Sequence, residues 1–114
     1  MNKVTDRTLA ASLRQGTSLL GKISRFTFAN LRTALGEPTF EYERFEMDGT
    51  HKEWVIEWEG EIYVIYDWNS DLHFTESGML LEWNVGTTNG LKTFLPEIEK
   101  MLNNSLLNQT PIFE

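Results

Sequence analysis

The sequence predicts an α+β domain, an antiparallel sheet of about four strands packed against two to three helices. Three observations carry that expectation. The stretch from His51 to Trp68 alternates as two strands about a Glu59-Gly60 turn. Two short segments with helical spacing, each closed by a glycine, precede it, and a third follows it. In a chain of 114 residues, 40% hydrophobic and 12% aromatic content is enough to bury a core, and it excludes wholesale disorder. One domain over residues 1–114 is expected, with a short tail at 105–114.

Each element has its own warrant. Asp6 is a good N-cap for a helix through Gln15, with Leu9, Ala10 and Leu13 on one stripe and Gly16 as the stop. Thr17 to Gly21 reads as a connector. A second helix is expected from Thr27 to Leu35, where Phe28, Leu31 and Leu35 share a face, Gly36 ends it and Pro38 prevents continuation. Phe40 to Met47 reads as a strand, with Asp48-Gly49 as its turn. Its register is open: a plain two-residue turn places Glu43 beside Trp54. A bulge, which the hydrophobic pattern prefers, brings Phe40 and Tyr42 onto the aromatic face instead.

A two-residue turn at Glu59-Gly60 pairs Lys52 with Asp67, Trp54 with Ile65 and Ile56 with Tyr63 on an apolar face closed by an ion pair. The opposite face pairs Glu53 with Tyr66, Val55 with Val64 and Glu57 with Ile62, and is expected to be the wetter one. Asn69 to Gly78 reads as a polar loop, and Met79 to Val85 as a fourth strand. From Asn89 the spacing of Leu91, Leu95, Ile98 and Leu102 is helical, with Pro96 either kinking that helix or sitting in the first turn of a shorter one. The tail holds Leu106, Leu107, Ile112 and Phe113, four large hydrophobes that call for docking on their own domain or on a second copy, so a homodimer is expected.

Charge is uneven along the chain. Residues 1–36 carry six bases against Asp6, residues 37–61 nine acids against Arg44 and Lys52, and the remainder seven acids against Lys92 and Lys100, for a net charge of -7. That sign disfavours duplex nucleic acid as a partner, while the basic third still suits a small anionic ligand. No apolar run approaches the roughly twenty residues of a membrane span, so no membrane partner is expected. Zero cysteines exclude a disulfide framework and a thiol nucleophile. With no secretory leader evident, the expected location is cytoplasmic.

The series Gly21-Lys22-Ile23, Leu35-Gly36-Glu37-Pro38, Lys52-Glu53-Trp54-Val55-Ile56, Ile65-Tyr66-Asp67-Trp68 and Glu82-Trp83-Asn84-Val85-Gly86 resembles small bacteriophage-encoded proteins of unassigned role, over roughly residues 21 to 86. Members of that group usually have a longer Asp-Gly turn where this chain has Glu59-Gly60, and often a histidine in place of Asn84. The resemblance implies a shared fold and a setting in the host cell cytoplasm, and it brings no catalytic residues with it.

Candidate chemistry is sparse. Asp67, Asn69 and Asp71 alternate like the start of a calcium loop, but Leu72 and Gly78 stand where that loop needs a glycine and a glutamate, so a solvated turn is expected. His51 and His73, at no ligand-like spacing, read as surface residues, and no metal or cofactor is expected. The glutamates of the hairpin region mark out no acid-base pair, and no nucleophile elbow, Walker loop or dinucleotide fingerprint is present, so enzyme activity is not expected.

Trp54 and Trp83 are expected in the core, and Trp68, at the end of its strand, is the reachable tryptophan. The best anion candidate is Lys22, Ser24, Arg25 and Thr27, where cations precede a helix N-terminus, against the plainer reading of an ordinary N-cap with solvated bases. Two functions follow as expectations. One is a phage-encoded binding protein that counters a host defence by sequestering a nucleotide signal through Lys22, Ser24, Arg25, Thr27 and Trp68. The other is an inhibitor whose acidic surface at Glu53, Glu57 and Glu61 blocks a host defence protein by contact.

Overall fold

The computed structural model of the chain describes residues 1–42, 51–67 and 78–113, apart from the side chain of Ser24. In order, the elements are β1 (Asn2–Lys3), α1 (Arg7–Leu13), β2 (Ser18–Phe26), α2 (Phe28–Leu35), β3 (Phe40–Glu41), β4 (Lys52–Trp58), β5 (Glu61–Tyr66), β6 (Leu81–Thr87) and α3 (Phe94–Asn108). The strands form one antiparallel sheet in the order β1-β4-β5-β6-β2, with β3 also on β4. The α+β class is therefore as the sequence predicts, with six strands where about four are expected. The surplus comes from β1 and from β2.

The hairpin has the predicted register, with Trp54 opposite Ile65, Val55 opposite Val64 and Ile56 opposite Tyr63. Glu59 and Gly60 both hold positive φ, 50° and 79°, the backbone of a tight hairpin turn whose twist matches that of the strands. On one side of the sheet Trp54, Ile56, Tyr63, Ile65, Trp83, Val85 and Ile23 meet α2 and α3 in the main core. Trp54 and Trp83 lie edge to face at 5.6 Å. Their indole N–H groups donate to Gly36 O and Phe26 O, both at 2.9 Å, so the two tryptophans tie down the two ends of α2. Each such ring buries a large apolar area, and its indole donor keeps a partner inside the core.

The opposite side is not the wet face the sequence predicts. Val55 and Val64 are buried beneath Ala10 of α1, with Val4, Phe40, Ile62 and Tyr66 around them. α1 begins as expected, Asp6 accepting from the amides of Thr8 and Leu9, but its leucine stripe does not point inward. Only Ala10 is buried, while Leu9 is 51% and Leu13 36% exposed. A small residue at the contact lets a seven-residue helix lie close to the strands, and the leucines flank the contact without entering it.

This second core also decides the register of β3. Phe40 lies opposite Glu53 and Glu41 opposite Lys52, so Phe40 joins the α1 side and the expected bulge onto the aromatic face is not formed. The Arg14 guanidinium, 4.3 Å from the Phe40 ring centre, holds the ring there. The remainder of the expected strand, from Glu43 to Met47, and the Asp48-Gly49 turn lie outside the described residues.

β1 and β3 line the same edge of β4, and a side chain closes the gap between them. Val4 N donates to Val55 O at 2.9 Å, but the return bond runs through Thr39: Val55 N donates to its hydroxyl at 3.1 Å, and the hydroxyl donates to Val4 O at 3.3 Å. At the other end of the sheet, Thr17 to Gly21 is not a connector. β2 starts at Ser18 and runs nine residues against β6, with irregularities between Leu19 and Gly21 and between Ile23 and Phe26. Those irregularities, with Gly21 and two bases, hide the alternation that marks a strand.

α3 starts at Phe94, later than the expected Asn89, with Pro96 in its first turn as in the shorter-helix alternative; Leu91 precedes the helix and is 63% exposed. The residues expected as an irregular tail continue the helix to Asn108, where Gln109 takes a left-handed conformation. Ile112 N then donates to Ala34 O at 2.9 Å, and Ile112 and Phe113 pack on the main core. Leu106, Ile112 and Phe113 of the tail thus dock on their own domain, while Leu107 is 81% exposed.

Candidate interaction surface

Ionisable groups inside the fold are engaged with one another. The Glu53 carboxylate takes Arg14 Nη1 at 2.6 Å. Burial, the largest influence on Arg14, would lower its pKa; Glu53 and Tyr42 together outweigh it and raise the value, so the guanidinium stays charged. Asp67 Oδ1 accepts from the amides of His51 at 2.9 Å and Lys52 at 2.7 Å, and its Oδ2 lies 3.3 Å from His51 Nδ1. His51 is fully buried, not the surface residue expected, because it closes the end of the hairpin against Asp67.

The expected closing ion pair is also rearranged. Lys52 Nζ lies 3.8 Å from Glu41 and over the Phe28 ring, while Asp67 meets His51 and the two amides. Asp67 is 1% exposed, with its carboxylate on His51 and the two amides; Asn69, Asp71 and His73 lie outside the described residues. Among the described residues no group of three or more His, Cys, Asp or Glu could hold a metal ion.

Lys3 was not singled out by the sequence. Its amine donates to Leu35 O at 2.8 Å and Glu37 O at 3.2 Å, capping the C-terminus of α2 with a cation where the helix dipole favours one. Burial lowers its pKa from the ordinary 10.5, with Glu37 acting in the opposite direction. Grooves flank this lysine. One of about 340 Å³ lies against Met1, Asn2, Ile112 and Phe113, and one of about 210 Å³ against Arg7, Glu37 and Pro38. Both are open and lie at or below the small end of ligand-site volumes, which run from roughly 300 to 1,000 Å³.

The predicted anion residues are distributed along β2. Lys22 and Arg25 are exposed, and Lys22 pairs across the ladder with Asn84. Thr27 is the N-cap of α2: its side chain accepts from Asn30 N at 2.9 Å, and the Asn30 side chain accepts from Thr27 N at 3.0 Å. The helix start is therefore occupied by its own capping box. Lys22 stands five residues before Thr27, up to roughly 16 Å away at about 3.3 Å per extended residue. The Ser24 side chain and Trp68 lie outside the described residues. Of the predicted acidic surface, Glu57 is exposed and Glu61 half-buried on the hairpin, but Glu53 is only 7% exposed and serves the fold through Arg14.

What the structure brings together was not predicted as a site. On the α1 side, one row across the sheet runs Val55, Val64, Gly86, Leu19, and the next runs Glu53, Tyr66, Asn84, Lys22. α1 covers the β4–β5 end of these rows through Ala10. At the β2 end Leu19 is 58% exposed, on the same side of the sheet as the outward Leu9 and Leu13. A signal for this lay in the sequence: Leu9 and Leu13 share a helical face with no apolar partner within the helix beyond Ala10.

Among the described residues no helix is long and apolar enough to cross a membrane. Comparison of the chain with protein-family models, with curated proteins and with solved structures found no match.

Proposed function

We propose that this protein is a non-enzymatic binding module that acts by contact with another protein, through the side of the molecule where α1 and β2 expose Leu9, Leu13 and Leu19. The observation that supports it is the exposure of those three leucines on one side of the sheet, when isolated surface leucines need no explanation but several on one side do. The exposed bases Lys22 and Arg25 stand on the same strand as Leu19. The resemblance to small phage proteins supplies the setting: a partner belonging to a bacterial host defence, blocked by occupation of its surface in the cytoplasm.

The test is recovery of partners from bacterial lysate by the wild type and by Leu9→Gln/Leu13→Gln, which keeps helix propensity. A specific protein retained by the wild type and lost by the variant is the expected result. Equal recovery by both, or none by either, removes this reading.

A second reading, capture of a nucleotide signal, is favoured by the exposed Lys22 and Arg25 ahead of the α2 N-terminus. Calorimetric titration of cyclic and linear nucleotides decides it: binding lost in Arg25→Glu supports it, and no heat with the wild type ends it.

A further inference from the structure

We infer that the free edge of β2 takes up an extended, acidic segment of a partner protein as an added antiparallel strand; this rests on the contact reading above and specifies its chemistry.

The backbone geometry comes first. Residues of an antiparallel ladder alternate between bonding one neighbour and bonding the other. Asp67 N donates to Lys52 O, so Lys52, Trp54 and Ile56 bond toward β5, which the outward bonds of His51 O and Val55 O to Tyr42 N and Val4 N corroborate. Following the registers across the sheet, Val64 and Tyr66 bond toward β6, Val85 and Trp83 toward β2, and Gly21 and Ile23 back toward β6. Lys22, between them, directs its N–H and C=O away from the sheet. β2 closes the strand order on this side, and among the described residues no backbone group takes up that outward pair.

The two edges of the sheet are thus treated differently. The β4 edge is sealed by β1, β3 and the Thr39 hydroxyl. At the β2 edge Lys22 directs its amide and carbonyl outward, and among the described residues no strand pairs there. An exposed edge is a template for a further strand, and its side chains determine which strands it accepts.

Charge identifies the occupant. From Arg7 to Gly36 the chain has five bases and no acid. Lys22 stands in the row with Asn84 on the α1 side, and the shift between Ile23 and Phe26 sets both Ser24 and Arg25 against the single residue Glu82. Antiparallel pairing with the same edge of a second copy, in the registers centred on this stretch, would set Lys22 and Arg25 against their own kind, which is repulsive across a ladder. A strand carrying acids at alternate positions meets those cations with opposite charge, and an apolar residue beyond them meets Leu19. The bases and irregularities that discourage self-pairing therefore select for an acidic strand.

The test uses the full-length protein and a capped peptide of alternating Glu and Val, with an alternating Lys and Val peptide as control. Amide hydrogen exchange followed by NMR is the readout. The expected result is binding of the acidic peptide alone, weakened by salt, with the Lys22 amide newly protected. Lys22→Glu/Arg25→Glu is expected to weaken binding at least roughly fivefold. Lys22→Pro, which removes an outward N–H and leaves the β6 ladder in place, is expected to abolish protection along the edge. The charge-reversal pair serves if the proline variant does not fold.

Binding of neither peptide, equal binding of both, or binding without protection at Lys22 overturns the strand-addition proposal. Those results leave the contact reading standing wherever lysate capture still depends on Leu9 and Leu13. Loss of that dependence ends the contact reading itself.

Discussion

The two sides of the sheet are built on different scales. Beneath α2 and α3, two tryptophans, a tyrosine and a row of branched residues are all but inaccessible, and both indole donors are satisfied by backbone carbonyls. Beneath α1 the buried apolar residues are Ala10, Val55 and Val64, and the helix turns two leucines outward. The difference separates stability from recognition. The larger core lies on the first side, while the second also carries the exposed side chains Leu9, Leu13 and Leu19.

The comparison can be broken or sharpened in order of expected effect. Trp54→Ala removes a fully buried ring and its bond to Gly36, and is expected to cost about 3 to 5 kcal/mol in chemical denaturation. Glu53→Gln leaves Arg14 without its carboxylate in a half-buried site; a loss of about 2 to 3 kcal/mol is expected, less than for a fully buried pair because Arg14 keeps 31% of its side chain in water.

Thr39→Val tests the seal at the β4 edge. It removes the hydroxyl between Val55 N and Val4 O, and a loss of about 1 to 2 kcal/mol is expected, with faster amide exchange confined to Val55. Leu9→Gln/Leu13→Gln is expected to cost about 1 kcal/mol or less, because the two side chains are already 51% and 36% exposed.

The hairpin and the helix ends were legible in the sequence, the contrast between the two sides was not, and the omissions have physical causes. The hairpin announced its register because Glu59-Gly60 is a strong turn signal and one face is plainly apolar. Asp6, Gly36 and Pro38 marked helix ends for reasons local to the backbone. β2 was hidden because its shifts of register break the alternation and Gly21 weakens the strand signal; that glycine admits Leu95 of α3 where a Cβ would collide with it.

The inward stripe on α1 was misread because periodicity finds an apolar face but not which residue of it lies at the contact, and a close approach favours Ala10 over its neighbouring leucines. His51 and Glu53 looked like surface residues because their partners, Asp67 and Arg14, are 16 and 39 positions away in the chain. For the candidate surface, the sequence supplied the cations at Lys22 and Arg25. It did not supply the leucines beside them, since only the sheet order sets Leu19 on the side that α1 covers.

The central claim is that the exposed side chains of α1 and β2, Leu9, Leu13 and Lys22, are dispensable for folding and available for contact. Equilibrium unfolding of the combined variant Leu9→Gln/Leu13→Gln/Lys22→Glu, beside Trp54→Ala, tests it most directly. The account predicts a combined variant within about 1 kcal/mol of the wild type, with an unchanged denaturant slope, and a Trp54→Ala protein weakened by about 3 to 5 kcal/mol. A combined variant as unstable as Trp54→Ala would show that the exposed leucines belong to the core, and would contradict the division of labour between the two sides.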